Sequence, residues 1–162
     1  SLAREIPITA SVIYHYFSDK DELLKEMYLI LNKNLGKNRN SLPKVKTASQ
    51  MLKQRIEFQF DHQEEIVAVL KYYISYRMNF KKFKGGFIPD KSTLHIEEVL
   101  KFGIENNEFR TANLEDDSKV IAHAINGFLL EYYPYKLQKN EKKELVDRIY
   151  NFMIRALKGG EK

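Results

Sequence analysis

The stretch that decides the fold is Thr9-Ala-Ser-Val-Ile-Tyr-His-Tyr-Phe-Ser-Asp-Lys-Asp-Glu-Leu-Leu24, which predicts a short helix, a break and the capped start of a longer helix. Ile13 and Phe17, four residues apart, share the inner face of the short helix. Ser18 is a suitable N-cap for the longer helix, because the acidic residues after it meet the positive end of the helix dipole. Residues 2–8 resemble a helix tail running into a turn. Helix, turn and short helix in this order are typical of the second half of a helix-turn-helix DNA reader.

Residues 2–23 also follow the sequence pattern of a known protein family. Leu2-Ala3 and Ile8-Thr9, followed by Ile13-Tyr14-x-Tyr16-Phe17-x-x-Lys20-x-x-Leu23, resemble the DNA-binding end of TetR-family transcriptional regulators. The sequence departs from the family at Pro7, which stands in the turn where the family usually has glycine. The family's first helix and most of its second would precede Ser1, so we expect the sequence to lack the beginning of this domain.

The resemblance implies that the short helix enters the major groove of double-stranded operator DNA. It places base-facing residues at Ala10, Ser11 and Val12, and phosphate contacts at Tyr14, Tyr16 and Lys20. Tyrosine hydroxyls and the lysine ammonium group donate hydrogen bonds to phosphate oxygens. Packing between the two small helices is the alternative role for the tyrosines. The predicted DNA-binding residues are Thr9, Ala10, Ser11, Val12, Tyr14, His15, Tyr16 and Lys20.

The amino-acid composition excludes several kinds of protein and site. The 162 residues include no cysteine, which excludes disulfides and thiol catalysis. No apolar run approaches the roughly 20 residues that cross a bilayer, and no signal peptide opens the sequence, so we expect a cytoplasmic protein without membrane contact. The net charge of +5 lies largely in the middle of the chain, where a lysine cluster is usually a solvated face. The histidines lack metal-ligand spacing, so we expect neither a metal nor a cofactor.

Helical periodicity extends over nearly the whole chain and predicts an all-α fold. The predicted helices cover about 19–35, 44–60, 63–83, 91–107, 113–133 and 140–158. Gly36 is expected to end the first of them, Asp61 and His62 to break the chain, Asn113 to cap the fifth helix, and residues 84–90 to form a loop. We divide the chain into residues 1–38, the C-terminal part of the helix-turn-helix domain with its connecting helix, and residues 39–162, a ligand-binding and dimerisation domain.

The last two predicted helices carry surplus apolar surface. From Val120 to Tyr133 the fifth helix is apolar on almost every side, and Ala124 and Gly127 leave room for close helix approach. This pattern predicts a homodimer through a four-helix interface, which the family resemblance also implies. A monomeric bundle with an internal central helix is the alternative.

The resemblance further implies a small, largely apolar effector inside the helical domain, whose binding changes the spacing of the two recognition helices. The helix over 19–35 is the expected lever, because it touches both halves. Ordinary core packing is the alternative role for the aromatic candidates, and Arg77 has an ion pair with Glu97 or Glu98 as its alternative. The candidate ligand-binding residues are Phe58, Tyr73, Tyr76, Arg77, Phe102, His123 and Phe128.

Three functions follow from these patterns. The preferred one is a DNA-binding transcriptional regulator, a repressor that its effector releases from the operator. The alternative is a helical small-molecule-binding and dimerisation module without DNA binding. An enzyme is disfavoured, because the sequence has no nucleophile–base pair, phosphate-binding glycine loop or metal signature.

Overall fold

The computed structural model describes residues 16–78 and 93–159. Those residues form helices and contain no strand, which confirms the all-α class. The six helices are α1 (Lys20–Asn40), α2 (Ala48–Asp61), α3 (Gln63–Met78), α4 (Leu94–Glu105), α5 (Leu114–Tyr132) and α6 (Lys139–Lys158). The predicted loop over residues 84–90 lies outside the described residues.

The first helix differs from its prediction at both ends. Asp19, not Ser18, is the N-cap, and its carboxylate accepts from the Glu22 backbone N–H at 2.8 Å. Ser18 instead donates from its N–H and its hydroxyl to the Glu22 carboxylate, and these bonds lower the pKa of Glu22. The expected stop at Gly36 was wrong, because α1 continues through Gly36 to Asn40. The longer helix carries one more turn of side chains past the glycine.

The remaining helix ends follow local capping chemistry. The second helix starts at Ala48 rather than near residue 44, because the Thr47 hydroxyl accepts from the Gln50 N–H and fixes the first turn there. The predicted break at Asp61 and His62 is confirmed. The predicted cap of α5 is also confirmed, since Asn113 Oδ1 accepts from the first-turn N–H groups at 3.1 and 3.2 Å.

Helices α1 and α3 form a pair that packs against the other four helices. The first helix lies mainly against α3, whereas α2 packs on α4 and α6, and α4 packs on α5. Rings of Tyr28 and Tyr72 stack between α1 and α3 with centroids 4.9 Å apart. The core lies where α2, α4 and α5 meet, and its fully buried large side chains include Leu52, Ile56, Ile96, Leu100, Ile125 and Leu129.

Two ion pairs fasten α2 to α6. The Lys53 ammonium lies 2.7 Å from Asp147, and the Lys142 ammonium lies 2.6 Å from Asp61. Lys53 and Asp61 are eight residues apart on α2, roughly 12 Å at the rise of an α-helix. Because the two pairs are separated along the axis, they oppose both sliding and rotation of α6 on α2.

The turn after α4 caps another helix. Asn107 adopts the left-handed conformation with φ 58°, which asparagine tolerates at a helix end. This geometry directs the Glu108 carboxylate to the start of α2, where it accepts from Ala48 N at 2.8 Å and from the N–H and hydroxyl of Ser49 at 3.2 Å. Partial burial raises the pKa of Glu108, but these hydrogen bonds outweigh it, so the net pKa lies below the ordinary value.

Candidate functional site

A cavity of about 210 Å³ lies between α1 and α3 on one side and α2, α4 and α5 on the other. Its wall mixes aliphatic, aromatic and hydrogen-bonding side chains. The lining residues are Tyr28, Asn32, Leu35, Gly36, Arg39, Gln59, Ile66, Val69, Leu70, Tyr73, Leu94, His95 and Asn126. The volume is below the range of about 300–1,000 Å³ usual for drug-sized ligands, so the cavity suits a smaller organic molecule.

One face of α1 forms the longest part of the cavity wall. The lining positions 28, 32, 35, 36 and 39 follow the three- and four-residue spacing of a single helix face. A Cβ atom placed on Gly36 would meet no atom within 4 Å. The glycine therefore leaves open space at the wall, and a larger side chain there would enter the cavity.

Polar groups enter the cavity from several helices. Gln59 on α2 is buried, and its amide nitrogen lies 3.0 Å from Nε2 of His95 on α4. This contact joins the polar groups of α2 and α4 at the cavity wall. Asn32 on α1 and Asn126 on α5 add amide groups from the other walls. A few fixed polar groups in an otherwise apolar cavity orient a ligand.

The structure places four of the predicted ligand residues in or near this region. Tyr73 lines the cavity. Phe58 is buried behind it, with its ring 5.8 Å from the Arg39 guanidinium carbon. Tyr76 is also buried and does not line the cavity. Phe102 lines a separate groove on the far side of Arg39. Their ligand-binding role stays a prediction.

The other predicted ligand residues lie elsewhere. His123 and Phe128 are exposed on α5 and do not line the cavity. The side chain of Arg77 lies outside what the structure describes. Sequence reasoning did not select Asn32, Gln59 or Asn126, although Asn32 shares a helix face with Leu35. A polar residue inside an apolar stripe was the signal that could have identified it.

The predicted DNA-facing end is described only in part. Lys20 is exposed at the first position of α1, and Tyr16 precedes the helix with 74% of its surface exposed. The other predicted DNA-binding residues, Thr9, Ala10, Ser11, Val12, Tyr14 and His15, lie outside the described residues. Lys20 and the cavity-lining Arg39 stand at opposite ends of the same helix, roughly 28 Å apart at the rise of an α-helix.

An apolar surface extends over α5 and α6. Val120 and Phe152 are each 67% exposed and line one shallow depression, together with Ala124 and Ala156. Phe128 lies further along α5 and is 40% exposed. The fifth helix is therefore not enclosed within the described chain, unlike the central helix of a monomeric bundle.

Two other kinds of site are absent from the described part of the chain. Within residues 16–78 and 93–159, no three histidine or acidic side chains converge to hold a metal ion. None of the helices there has both the length and the apolar character needed to cross a bilayer.

Two comparisons with known proteins found a match. Residues 87–158 match the TetR-type family model described as QacR-like protein, C-terminal region. No curated protein matches the sequence. The TetR family transcriptional regulator PfmR from Thermus thermophilus shares the fold, with a TM-score of 0.67 over 99% of this chain and 87% of that chain. At 19% sequence identity this likeness shows the fold alone. Together the matches confirm the resemblance predicted from the N-terminal motif.

Proposed function

We propose that the chain is a transcriptional regulator, a dimeric repressor that a small effector releases from operator DNA. The match of residues 87–158 to a TetR-type C-terminal family model and the fold shared with a TetR-family regulator support this proposal. The effector occupies the cavity, and residues 1–38 carry the DNA-binding end. The helical remainder, residues 39–162, holds the effector and the second copy.

The continuity of α1 carries this proposal. One uninterrupted helix supplies five residues of the cavity wall and ends at Lys20, the predicted phosphate contact. A ligand that displaces the wall therefore displaces the DNA-facing end. The helix is roughly 30 Å long, so a rotation of about 6° moves its far end by about 3 Å. Two recognition helices must sit about 34–36 Å apart to read successive major grooves, which makes binding sensitive to such a shift.

The cavity supports a compact effector with an apolar body and hydrogen-bonding groups. Leucine, isoleucine and valine side chains provide the apolar wall, and the amides of Asn32, Gln59 and Asn126 provide anchors. This agrees with the predicted largely apolar effector and adds polar groups that select among apolar molecules of similar size.

The exposed surface of α5 and α6 supports the dimer. Val120 and Phe152 leave exposed apolar surface on the two helices that the sequence predicts to form the interface. A symmetric four-helix contact brings the same surface from both copies together. The pairing also sets the distance between the two DNA-facing ends.

The test is binding to DNA from upstream of the protein's own gene, measured by fluorescence anisotropy over a salt series with unrelated DNA as competitor. The protein is prepared from the complete gene. Lys20→Ala should weaken binding and reduce the slope of log affinity against log salt by about one. Lys33→Ala is the matched control, since Lys33 is an exposed lysine on the same helix. Equal losses in both variants would show that net charge, rather than a contact at Lys20, governs binding.

Failure to bind either the upstream DNA or any member of a random-sequence selection would contradict the repressor proposal. The helical small-molecule-binding and dimerisation module would then replace it. Binding that persists unchanged in Lys20→Ala would retain DNA recognition but overturn the assignment of Lys20.

A further inference from the structure

A second depression, which we call the corner groove, lies outside the cavity where the α1–α2 connection meets α2 and α4. Its volume is about 460 Å³, and both cationic and apolar side chains line it. The residues that matter here are Arg39, Lys44, Arg55, Leu42, Met51 and Phe102. The corner groove and the cavity share only Arg39.

Arg55 is the unusual residue of the corner groove. Only 8% of it is exposed, yet its guanidinium makes one hydrogen bond within the described residues, from Nη1 to the Arg39 carbonyl at 3.3 Å. The Glu98 carboxylate lies 3.8 Å from Nη2, beyond hydrogen-bond range, and that side chain is 66% exposed. Arg55 Nε is buried without a hydrogen-bond partner among residues 16–78 and 93–159. A guanidinium has five N–H donors, so most of this capacity is unused.

The charges of the corner groove do not cancel. Burial lowers the pKa of Arg55 and of Arg39, and the charge of Arg55 lowers the pKa of Arg39 further. Two guanidinium groups therefore face one distant and solvated carboxylate, Glu98. A buried cation with unused donors is costly unless an anion completes its shell. With Lys44 also lining the groove, three positive charges stand against one negative charge, and this excess favours an anionic ligand.

We infer that the corner groove binds an organic carboxylate with an apolar chain. The carboxylate accepts from Arg55, with Arg39 and Lys44 beside it, because a planar guanidinium fork matches a carboxylate in shape and charge. The chain lies against Met51, Leu42 and Phe102. The inference does not depend on the effector proposed for the cavity or on DNA binding, although Arg39 lines both depressions.

The experiment uses methionine methyl NMR on the whole protein with hexanoate as probe. The chain has four methionines, of which Met51 lines the corner groove and Met153 is buried on α6. Hexanoate should shift the Met51 methyl signal in a saturable manner and leave the Met153 signal in place. Hexan-1-ol tests the need for charge, inorganic phosphate tests the need for the apolar chain, and hexyl phosphate tests the choice of carboxylate.

Variants then locate the site. Arg55→Met keeps an apolar stem without the charge and should weaken hexanoate binding about tenfold or more, the loss expected when charge-assisted hydrogen bonds are removed. Arg55→Lys should retain part of the affinity. Gly36→Leu, which fills the cavity but does not touch the corner groove, should leave hexanoate binding unchanged. If Arg55→Met does not fold, the comparison of hexanoate with hexan-1-ol on the unaltered protein decides alone.

Several outcomes would overturn the inference. Equal shifts with hexan-1-ol would show that the guanidinium is not used, and equal affinity for inorganic phosphate would show that the apolar wall is not used. Tighter binding of hexyl phosphate would overturn the carboxylate assignment. Loss of the Met51 shift in Gly36→Leu would place hexanoate in the cavity instead. Absence of any Met51 shift at saturating hexanoate would end the proposal.

Discussion

Phe152 offers the sharpest test of the proposed dimer, through the variant Phe152→Ala. The residue lies on α6 with 67% of its surface exposed in the single chain. A phenylalanine buries about 150–250 Å², so roughly 130 Å² of Phe152 is available to a partner. At about 25 cal/mol per Å² this burial stabilises association by about 3 kcal/mol per copy, and by about 6 kcal/mol in a symmetric pair.

Part of that area remains with the alanine methyl group, and area-based energies are upper values. We therefore expect the dimer dissociation constant to rise by about two to four orders of magnitude. Sedimentation equilibrium from nanomolar to micromolar protein measures it directly. Circular dichroism should show unchanged helix content, because Phe152 is not part of the core.

Ile30→Ala is the matched control. Ile30 is 57% exposed on α1, away from the proposed interface, so its truncation should leave the dissociation constant unchanged. The reasoning is refuted if Phe152→Ala forms dimers as strongly as the unaltered protein, or if Ile30→Ala weakens them equally. The first result would place the interface elsewhere, and the second would show a general effect of lost apolar surface.

Three further predictions concern individual side chains. The folded pKa of Glu108 lies below its ordinary 4.5, so this carboxylate stabilises the fold above that value and contributes less as the pH falls through the folded pKa. Glu108→Gln should therefore cost about 1–2 kcal/mol in urea unfolding near neutral pH, with a smaller difference in acid. Gly103→Ala would drive a methyl group into the buried Phe109 ring, so the variant should lose about 1–3 kcal/mol of unfolding free energy. Gly127→Ala is the control, because its Cβ meets no atom within 4 Å, and it should stabilise the isolated chain by up to about 1 kcal/mol in the same assay. Gly36→Leu should raise the unfolding temperature, because glycine inside a helix costs about 1 kcal/mol. Small molecules that stabilise the unaltered protein by binding in the cavity should no longer raise the unfolding temperature of this variant.

The sequence predicted helices better than it predicted their ends. Asn113 was identified as a cap because its spacing to the following acidic residues depends only on local chemistry. Gly36 was taken as a helix end because glycine usually ends helices, yet here it lies inside α1 and lines the cavity. That role depends on where α3 and α5 pack, which the local sequence does not encode.

The site was harder to predict than the fold for the same reason. Tyr73 was selected as an aromatic residue on an apolar helix, and it lines the cavity. Gln59 was not selected, and His95 was weighed only as a metal ligand, because no local pattern in the sequence brings the two together. They meet only when α2 and α4 pack together, 36 positions apart in the chain.

The two ion pairs between α2 and α6 have a consequence for hydrogen exchange. They add to the packing that holds α2 against α6 in one unit, to which α4 and α5 are added through the core, while α1 is attached mainly through α3. Amide protons of α2 and α6 should therefore exchange only on global opening, whereas α1 can open with α3 at lower free energy. The cavity lies along the boundary between these two units. A bound molecule would contact both units, raise the free energy of separating them, and slow amide exchange most in α1.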